Sequence, residues 1–345
     1  MQAMSWRHYT VQFAPAAAAS YNAVNPMPAK IVVLDGYCIN PGDLSWDALK
    51  DFGSVMVFDR TVANQAAVCA ADATILLTSK TPLPADVLVQ LPMLRYIGVI
   101  GTGYNNVDVE AARRRGVTVT NVPTYGTASV AQFVFALLLE LCNNVKLHAI
   151  AVQAGEWARS PDWSFSKVPL TELSGKVMGI VGFGRIGRQT ARIADAFDMR
   201  VIATDVQQVE SPPYSGFRWA SFEELLRESD VVSLHSPLSP ETRGMINART
   251  LMLMKPTAFL INTSRGPLVV EQDLADALNA GRIAGAAVDV LSTEPPAENN
   301  ALVGARNCLV TPHIAWATRE ARARLLNGAI QNLAAFLAGS PRNVV

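Results

Sequence analysis

Short apolar runs rich in β-branched residues recur along the chain, and segments with helical periodicity separate them. Alternation of this kind produces parallel sheets, because a parallel neighbour needs a crossover connection between the two strands. The first series of predicted strands covers residues 31–34, 55–58, 74–77, 96–100 and 117–120. The second covers residues 177–181, 200–203, 231–234, 258–262, 285–290 and 308–311. The two series predict an α/β chain with two Rossmann-like domains, each a doubly wound parallel sheet, and a cleft between them.

The charge balance limits what the chain can bind. Lys and Arg number 29, and Asp and Glu also number 29, so there is no positive field to hold a polyanion such as nucleic acid. Beyond the N-terminal region, no stretch reaches the roughly 18 apolar residues of a membrane span. The four cysteines form no CxxC pair and no Cys/His cluster. We therefore expect a cytoplasmic protein with a small-molecule partner and no nucleic acid, membrane or metal partner.

The first 26 residues differ from the rest because they show no periodicity before the first predicted strand. A secretory signal is the alternative interpretation of the alanine run at residues 16–19, but this run is short and lacks a basic segment directly before it. We expect a disordered N-terminal extension over residues 1–26, with Met27 as a candidate start.

The sequence GFGRIG begins at residue 182, directly after predicted strand 177–181, and opens a helical pattern. In this context the first glycine permits a tight turn, the second lets the backbone approach a pyrophosphate, and the third lets helix and strand pack closely. The helix N-terminus then faces the negative charge. We expect a dinucleotide to bind here. Its expected contacts are Gly182, Gly184, Arg185, Ile186 and Gly187.

An acidic residue follows the next strand of this series. Asp205 lies 18 residues after Gly187, close to the spacing of about 20 at which a carboxylate reaches the adenosine ribose hydroxyls. Residues 206–208 contain no arginine that would neutralise a 2′-phosphate. The pattern favours NAD over NADP. The alternative is that Asp205 only caps a turn.

Three further polar segments lie just beyond predicted strand ends, where ligands of open parallel sheets bind. They are NTSRG at 262–266, DVLSTEPP at 289–296 and TPHIAW at 311–316. Together with the glycine motif, and in this order, they resemble the D-isomer-specific 2-hydroxyacid dehydrogenase family over residues 30–345. Residues 101–108 and 311–322 resemble its glycerate dehydrogenase subgroup, also called hydroxypyruvate reductase. The resemblance implies an NAD-dependent oxidoreductase that interconverts a short 2-keto acid, such as hydroxypyruvate or glyoxylate, with its D-2-hydroxy acid.

The resemblance implies that Arg265, Glu294 and His313 are the catalytic residues, and their chemistry suits those roles. Arg265 would offer an always-charged fork to the substrate carboxylate and keto oxygen. His313 would give a proton to the developing alkoxide as hydride passes from nicotinamide C4 to substrate C2. Glu294 would orient the imidazole and favour its protonated form. Taken singly, each residue has a structural alternative: a surface ion pair, a turn cap or a buried imidazole, respectively.

The resemblance also implies a loop that holds the substrate carboxylate. Backbone amides of Gly101, Thr102 and Gly103 fall at that position, with a plain glycine-rich turn as the alternative. Lys80 would add positive charge, although most lysines are solvated surface groups. The other expected cofactor contacts are His235, Ser236, Pro237, Thr263, Ser264, Arg265 and Asp289.

The motifs divide the chain into a substrate (catalytic) domain and an NAD-binding domain. The substrate domain is predicted over residues 27–123 together with 312–345, and the NAD-binding domain over residues 124–311. Residues 121–129 interrupt the pattern before a long apolar helix at 130–143, so we expect a hinge there. A last helix, predicted over 318–337, would return the chain to the first domain.

Other functions within the same fold stay open. Phosphoglycerate dehydrogenase shares the fold and the catalytic trio, but Val99 stands where that subgroup usually carries an arginine. Formate dehydrogenase usually has glutamine at the position of Glu294, and this difference argues against that activity here. An NAD-sensing corepressor or scaffold is disfavoured because the chain has no long disordered interaction tails. Other D-2-hydroxyacid dehydrogenases remain alternatives.

An aromatic-rich segment lies between the long helix and the first nucleotide-binding strand. Trp157, Trp163 and Phe165 carry large apolar areas with nothing local to bury them, and aromatic residues are enriched in interface cores. The resemblance agrees, because family members are generally dimers joined through this part of the NAD-binding domain. We expect a homodimer. The alternative is that these rings fold back under their own domain.

Overall fold

The computed structural model describes residues 29–214 and 216–345, so the predicted extension at residues 1–26 lies outside the described part. The chain divides into two compact units. Unit one comprises the described residues up to Pro123 together with Leu326–Val345, and unit two comprises Thr124–Leu325.

Within the described residues, unit one is built on a five-stranded parallel sheet, called here the smaller sheet. Its strands are β1 (Ala29–Val33), β2 (Gly53–Val57), β3 (Ile75–Thr78), β4 (Tyr96–Val99) and β5 (Thr118–Thr120). Its helices are α1 (Gly36–Ile39), α2 (Ala66–Cys69), α3 (Ala85–Val89) and α4 (Val109–Arg114), with 3₁₀ helices at Asp47–Phe52 and Ala63–Gln65. The strand order is β2-β1-β3-β4-β5, as a doubly wound parallel sheet requires.

The carboxylate of Asp35, directly after β1, organises the loop that follows β3. Asp35 is 8% exposed and accepts hydrogen bonds from the main-chain amides of Ser79 (2.8 Å), Lys80 (2.5 Å) and Thr81 (2.8 Å). The hydroxyls of Thr78 and Thr81 also donate to it, at 3.1 and 3.2 Å. Because β1 and β3 are parallel neighbours, their carboxyl ends lie side by side and one short side chain spans them.

Within the described residues, unit two is built on a seven-stranded parallel sheet, called here the larger sheet. Its strands are β6 (Val177–Val181), β7 (Arg200–Thr204), β8 (Arg218–Trp219), β9 (Val231–Leu234), β10 (Phe259–Asn262), β11 (Gly285–Val288) and β12 (Cys308–Val310). The helices are α5 (Thr127–Asn143), α6 (Val145–Gln153), α7 (Arg185–Ala196), α8 (Phe222–Glu228), α9 (Ala248–Leu251), α10 (Glu271–Asn279) and α11 (Arg319–Leu337), with a 3₁₀ helix at Gly266–Leu268. Helix α11 begins in unit two and continues into unit one.

The order of the larger sheet is β12-β11-β10-β9-β6-β7-β8, and every neighbouring pair is parallel. Every residue of β6, β9, β10 and β11 is buried, as expected of apolar strands in a parallel sheet covered on both faces. The chain order reverses beside β6, and ligands of such sheets bind at that switch point.

Two elements of unit two differ from the sequence prediction. Strand β8 is absent from the predicted six-strand series, because two residues are too short to show a periodicity. Helix α6 was not predicted either, since apolar residues occur all round it and include the exposed Val145 and Ile150. Along the described part of the chain, no single helix is long and apolar enough to cross a membrane, and α5 and α6 pass that test only as a pair bent by 56°.

The second boundary between the units lies inside α11, 14 residues after the position predicted from the sequence. Residues 312–325 stay with unit two because their main chain is bonded there. The amides of Ile314 and Ala315 donate to Asp289, and the Ala315 carbonyl accepts from Ser129 Oγ at 2.7 Å. His313 is therefore part of unit two.

The buried Asp35 carboxylate predicts a large loss of stability on its removal. Asp35→Ala leaves three main-chain amides without acceptors, and an unpaired buried donor costs about 1–3 kcal/mol. We expect the free energy of unfolding in urea to fall by about 3 kcal/mol or more. Asp72→Ala is the matched control, because that carboxylate is 79% exposed and, among the described residues, pairs only with Lys30. Its loss should stay below about 1 kcal/mol, and equal losses in both variants would contradict the assignment.

Candidate active site

Glycines shape the loop between β6 and α7. Gly182 has a φ of +94°, and a Cβ there would overlap the main chain of His235 and Ser236. A Cβ at Gly187 would overlap the carbonyl oxygen of Gly182, so this glycine lets α7 approach the strand. At Gly184 a Cβ would meet nothing within 4 Å. The loop thus packs tightly on the protein side and leaves free space beside Gly184, where the sequence predicts the pyrophosphate.

The N-terminus of α7 faces that space without a capping side chain. Gly184 is the N-cap residue of this 12-residue helix and provides no side-chain capping hydrogen bond. Such amides have no partner inside the helix and carry the positive end of its dipole. They are the donors that a phosphate group needs.

Asp205 lies at the end of β7, beside the glycine loop. Its Oδ2 accepts from the Phe183 amide at 2.5 Å, and its Oδ1 accepts from the Gln207 amide at 3.3 Å. Strands β6 and β7 are paired, which brings the two strand ends together. The half-buried carboxylate therefore lies where the sequence predicts a ribose partner, and it also fixes the loop that would hold the pyrophosphate.

The loops after β9 and β10 complete this edge of the larger sheet. Ser264 Oγ donates to the carbonyl of Ser236 at 2.7 Å and joins the two loops. Thr263 is 9% exposed, and its Oγ1 has no hydrogen-bond partner among residues 29–214 and 216–345. A buried hydroxyl without a partner suits a site that a polar ligand completes. The residues present therefore fit a dinucleotide.

His235 also lines this edge, just after β9. Its Nε2 lies 2.9 Å from Ser233 Oγ, and burial lowers the pKa of His235 from its ordinary 6.5 to about 4. The imidazole is therefore neutral at pH 7. His235 suits a place in the wall of the site better than a role as proton donor.

Glu294 and His313 form a close pair. Glu294 Oε2 lies 2.6 Å from His313 Nδ1, and the two side chains are 35% and 27% exposed. The other carboxylate oxygen of Glu294 accepts from the Leu291 amide at 3.0 Å, which fixes the carboxylate. Because Nδ1 faces the carboxylate, it carries the hydrogen, and Nε2 is the ring atom left to exchange a proton with a ligand.

Asp289 holds the turn that carries His313. His313 has a φ of +56°, a left-handed conformation that a side chain adopts only when its surroundings hold it. Asp289 is 1% exposed and accepts from Thr311 Oγ1 (2.6 Å), the Ile314 amide (2.9 Å) and the Ala315 amide (2.8 Å). Burial raises the pKa of Asp289 despite these bonds. The sequence predicts Asp289 as a cofactor contact; the observed partners of its carboxylate belong to the His313 turn.

Arg265 follows β10, next to the strand that precedes Glu294. Its Nη1 donates to the carbonyl of Ser264 at 2.8 Å, and its own carbonyl accepts from Asn262 Nδ2 at 2.9 Å. A Cβ on Gly266 would overlap the main chain of Leu291, so the segment after Arg265 packs directly on the start of the loop that carries Glu294. Strands β10, β11 and β12 are neighbours, and the three predicted catalytic residues follow them in that order.

In unit one, the predicted carboxylate loop follows β4. The carbonyls of Gly101 and Thr102 accept from the Val122 amide (2.9 Å) and from Asn121 Nδ2 (2.7 Å). Within the described residues, the amides of Gly101, Thr102 and Gly103 have no hydrogen-bond acceptor. Hydrogen bonds to its carbonyls therefore hold the loop, and its three main-chain amides stay available to donate to a ligand.

Lys80 lies in the neighbouring loop, after β3, and is exposed. The bond from its main chain to Asp35 fixes the position of the residue. Asp35 was not among the residues predicted from the sequence. It could have been found by the same pattern as Asp205, because both are acidic residues that directly follow a strand.

Val99, where the phosphoglycerate dehydrogenase subgroup usually carries an arginine, lies in β4, is 1% exposed and packs in the core of the smaller sheet. Among the residues that the structure describes, no group of three or more His, Cys, Asp or Glu side chains could hold a metal ion.

An imidazole oriented by a carboxylate, at the edge where a dinucleotide fits, is the arrangement of a nicotinamide-dependent dehydrogenase. A family model described as "D-isomer specific 2-hydroxyacid dehydrogenase, NAD binding domain" matches residues 135–315. Hydroxypyruvate reductase of Blautia hydrogenotrophica is 51% identical over 319 residues, covering 92% of this chain and 99% of that protein. Glycerate dehydrogenase of Methylorubrum extorquens is 41% identical over 275 residues, covering 79% of this chain and 85% of that protein.

A solved structure of D-lactate dehydrogenase from Aquifex aeolicus, complexed with NAD and lactic acid, matches with a TM-score of 0.77 and 29% identity. The match covers 90% of this chain and 96% of that chain. The chain belongs to the D-isomer-specific 2-hydroxyacid dehydrogenase family. It is an NAD-dependent oxidoreductase that acts on the CH–OH group of D-2-hydroxy acids, and this confirms the fold, cofactor and reaction class predicted from the sequence.

The lowered pKa of His235 predicts a pH dependence of stability. Unfolding restores the ordinary value of 6.5, so between pH 6.5 and about 4 the unfolded chain binds a proton that the folded chain rejects. The free energy of unfolding therefore falls as the pH falls through this window, and His235 accounts for about 2 to 3 kcal/mol of that loss. In His235→Gln the urea midpoints at pH 7 and pH 4.5 should lie closer together than in the wild type. Parallel pH profiles would contradict the assignment.

Proposed function

We propose that the protein reduces hydroxypyruvate and glyoxylate with NADH and oxidises D-glycerate in the reverse direction. The observation that carries this proposal is the Glu294–His313 pair at the carboxyl edge of the larger sheet, with Glu294 Oε2 2.6 Å from His313 Nδ1. The two relatives named above support the substrate class, since one is a hydroxypyruvate reductase and the other a glycerate dehydrogenase.

Each proposed catalytic residue has one task. The reduced nicotinamide, when bound, supplies the hydride. Arg265 binds the carboxylate and polarises the keto oxygen of the substrate, because its guanidinium stays charged and offers several donors. His313 donates the Nε2 proton to the oxygen on which negative charge develops. Glu294 keeps the ring oriented through its contact with Nδ1.

The loop at Gly101–Gly103 suits the substrate carboxylate. Its three amides are available, and neighbouring amides of this kind bind carboxylates and other anions. Lys80 adds an exposed positive charge in the next loop of the same sheet. We assign these groups to the carboxylate of a small 2-keto acid.

We also propose a preference for NAD over NADP. Asp205 lies beside the glycine loop, where a 2′-phosphate would meet its negative charge. Residues 206–208 are Val, Gln and Gln, and none of them carries a compensating positive charge.

Substitution of the catalytic residues tests the proposed roles. His313→Gln should lower kcat for hydroxypyruvate by the roughly 10²- to 10⁴-fold that general acid catalysis supplies. Arg265→Ala should abolish turnover and leave NADH affinity, measured by fluorescence, largely intact, because Arg265 is proposed to act on the substrate rather than mainly on the cofactor. His148→Gln is the matched control on α6 and should behave as the wild type does.

The assay compares hydroxypyruvate, glyoxylate, pyruvate and phosphohydroxypyruvate, with NADH or NADPH as the reductant. Highest kcat/KM for hydroxypyruvate or glyoxylate with NADH is the expected result. A near-normal rate in His313→Gln would remove this residue from the mechanism, and a preference for phosphohydroxypyruvate would contradict the substrate.

We propose that the protein is a cytoplasmic homodimer that uses no membrane partner. Five apolar side chains on α6 and in the segment between α6 and β6 are strongly exposed and are called here the arm surface. They are Val145 (62%), Ile150 (52%), Trp157 (52%), Trp163 (90%) and Leu170 (56%). A second copy of this surface is the partner we assign, because exposed aromatic and aliphatic groups of this density mark interfaces. The free cysteines Cys38, Cys69, Cys142 and Cys308 suit a reducing compartment.

Removal of the two tryptophans should weaken the dimer. Trp157→Ala combined with Trp163→Ala deletes the largest apolar groups of the arm surface, and we expect sedimentation velocity to show more monomer at micromolar concentration. Val68→Ala is the matched control, since Val68 is 77% exposed but lies in unit one. A wild-type monomer with full activity would contradict the proposal.

A further inference from the structure

One carboxylate ties both ends of the loop that carries Glu294. Glu271 is the first residue of α10. Its Oε1 accepts from the Ser292 amide at 2.5 Å, and its Oε2 accepts from Asn300 Nδ2 at 2.6 Å. The segment between these two points is called here the 292–300 loop.

Burial does not hold this loop in place. Residues 292–299 are all exposed, and the chain becomes half-buried again only at Asn300. A segment with little buried apolar surface opens locally at low cost unless hydrogen bonds hold it. The two bonds to Glu271 hold the two ends of the 292–300 loop, and Glu294 adds its bonds to His313 and Leu291 within it.

The geometry of the catalytic pair depends on that order. Glu294 must keep one oxygen 2.6 Å from His313 Nδ1 and the other 3.0 Å from the Leu291 amide. Glu271 lies six residues after Arg265, and between them Gly266 packs on Leu291. The anchor of the loop and the substrate-binding arginine therefore belong to one short segment.

We propose that Glu271 is a positioning residue: it fixes the 292–300 loop so that Glu294 stays bonded to His313. This inference rests on the proposed function of that pair. Glu271 lies in the first turn of α10, where the helix dipole interacts favourably with a negative charge. An ionised carboxylate accepts two hydrogen bonds at once, which a neutral side chain of the same length does not do as well.

Two variants separate positioning from a merely structural role. Glu271→Ala removes both acceptors. Glu271→Gln keeps one carbonyl oxygen and replaces the other acceptor by a donor group, so one of the two bonds is lost. Gln272→Ala is the matched control, because the neighbouring Gln272 is exposed and its side chain donates to Asp276 within α10.

Hydrogen exchange and kinetics are measured on the same proteins. Exchange of the 292–300 loop should be faster in Glu271→Ala, intermediate in Glu271→Gln and unchanged in Gln272→Ala. A displaced catalytic group costs up to about 10²-fold, so we expect kcat for hydroxypyruvate to fall about 10- to 100-fold in Glu271→Ala. NADH affinity should stay unchanged.

A double-mutant cycle with Glu294→Gln shows whether Glu271 acts through Glu294. If it does, adding Glu271→Ala to Glu294→Gln lowers kcat little further, and the pH profiles of Glu271→Ala and Glu294→Gln resemble each other. Independent, multiplicative losses or an unchanged kcat in Glu271→Ala would overturn the inference.

Failure of the proposed function gives a different result. If the wild type itself does not turn over, the proposed function is wrong, and loop exchange alone then decides the role of Glu271. Faster exchange in Glu271→Ala would support the anchoring of the 292–300 loop. Unchanged exchange would overturn it.

Discussion

The parallel direction of every strand in the larger sheet is the constraint on which the site depends. Parallel strands bring all their carboxyl ends to one edge, so residues far apart in sequence emerge together. Strands β10, β11 and β12 are neighbours, and the segments after them carry Arg265, Glu294 and His313. On the other side of the switch point, β6 and β7 contribute the glycine loop and Asp205. No single segment of the chain contains this chemistry.

Strand ends place the loops, and buried or half-buried carboxylates give them their shape. Asp289 accepts three hydrogen bonds from the His313 turn, and Glu271 ties both ends of the 292–300 loop. Asp35 accepts three main-chain hydrogen bonds from the loop that contains Lys80. A carboxylate suits this task because it accepts several bonds at once, and bonds to a charged acceptor are stronger than neutral ones. Each unit therefore has acidic residues that fix the backbone of its own predicted functional loops.

The sequence predicts the strands well where burial is complete. Strands β6 and β9 begin and end where their predicted runs do, since both faces are covered and Ser233, the polar residue within β9, is itself buried. Periodicity fails for the two-residue β8 and for α6, which carries exposed apolar residues all round. The spacing of polar residues after strands locates the candidate site, but which atoms they bond cannot be predicted. Asp289 turns toward the His313 loop, and Val99 turns into the core, because side-chain direction depends on packing absent from the sequence.

The central claim is that Glu294 fixes the proton of His313 on Nδ1. Nitrogen-15 NMR of histidine-labelled enzyme in its NADH complex measures this directly, and the chain has only four histidines, so His313→Gln assigns the signal. At neutral pH we predict a protonated, hydrogen-bonded Nδ1 with a low-field proton resonance that disappears in Glu294→Gln. The account would be contradicted if Nδ1 of His313 were unprotonated, with the hydrogen on Nε2, and if the His313 signals stayed the same in Glu294→Gln.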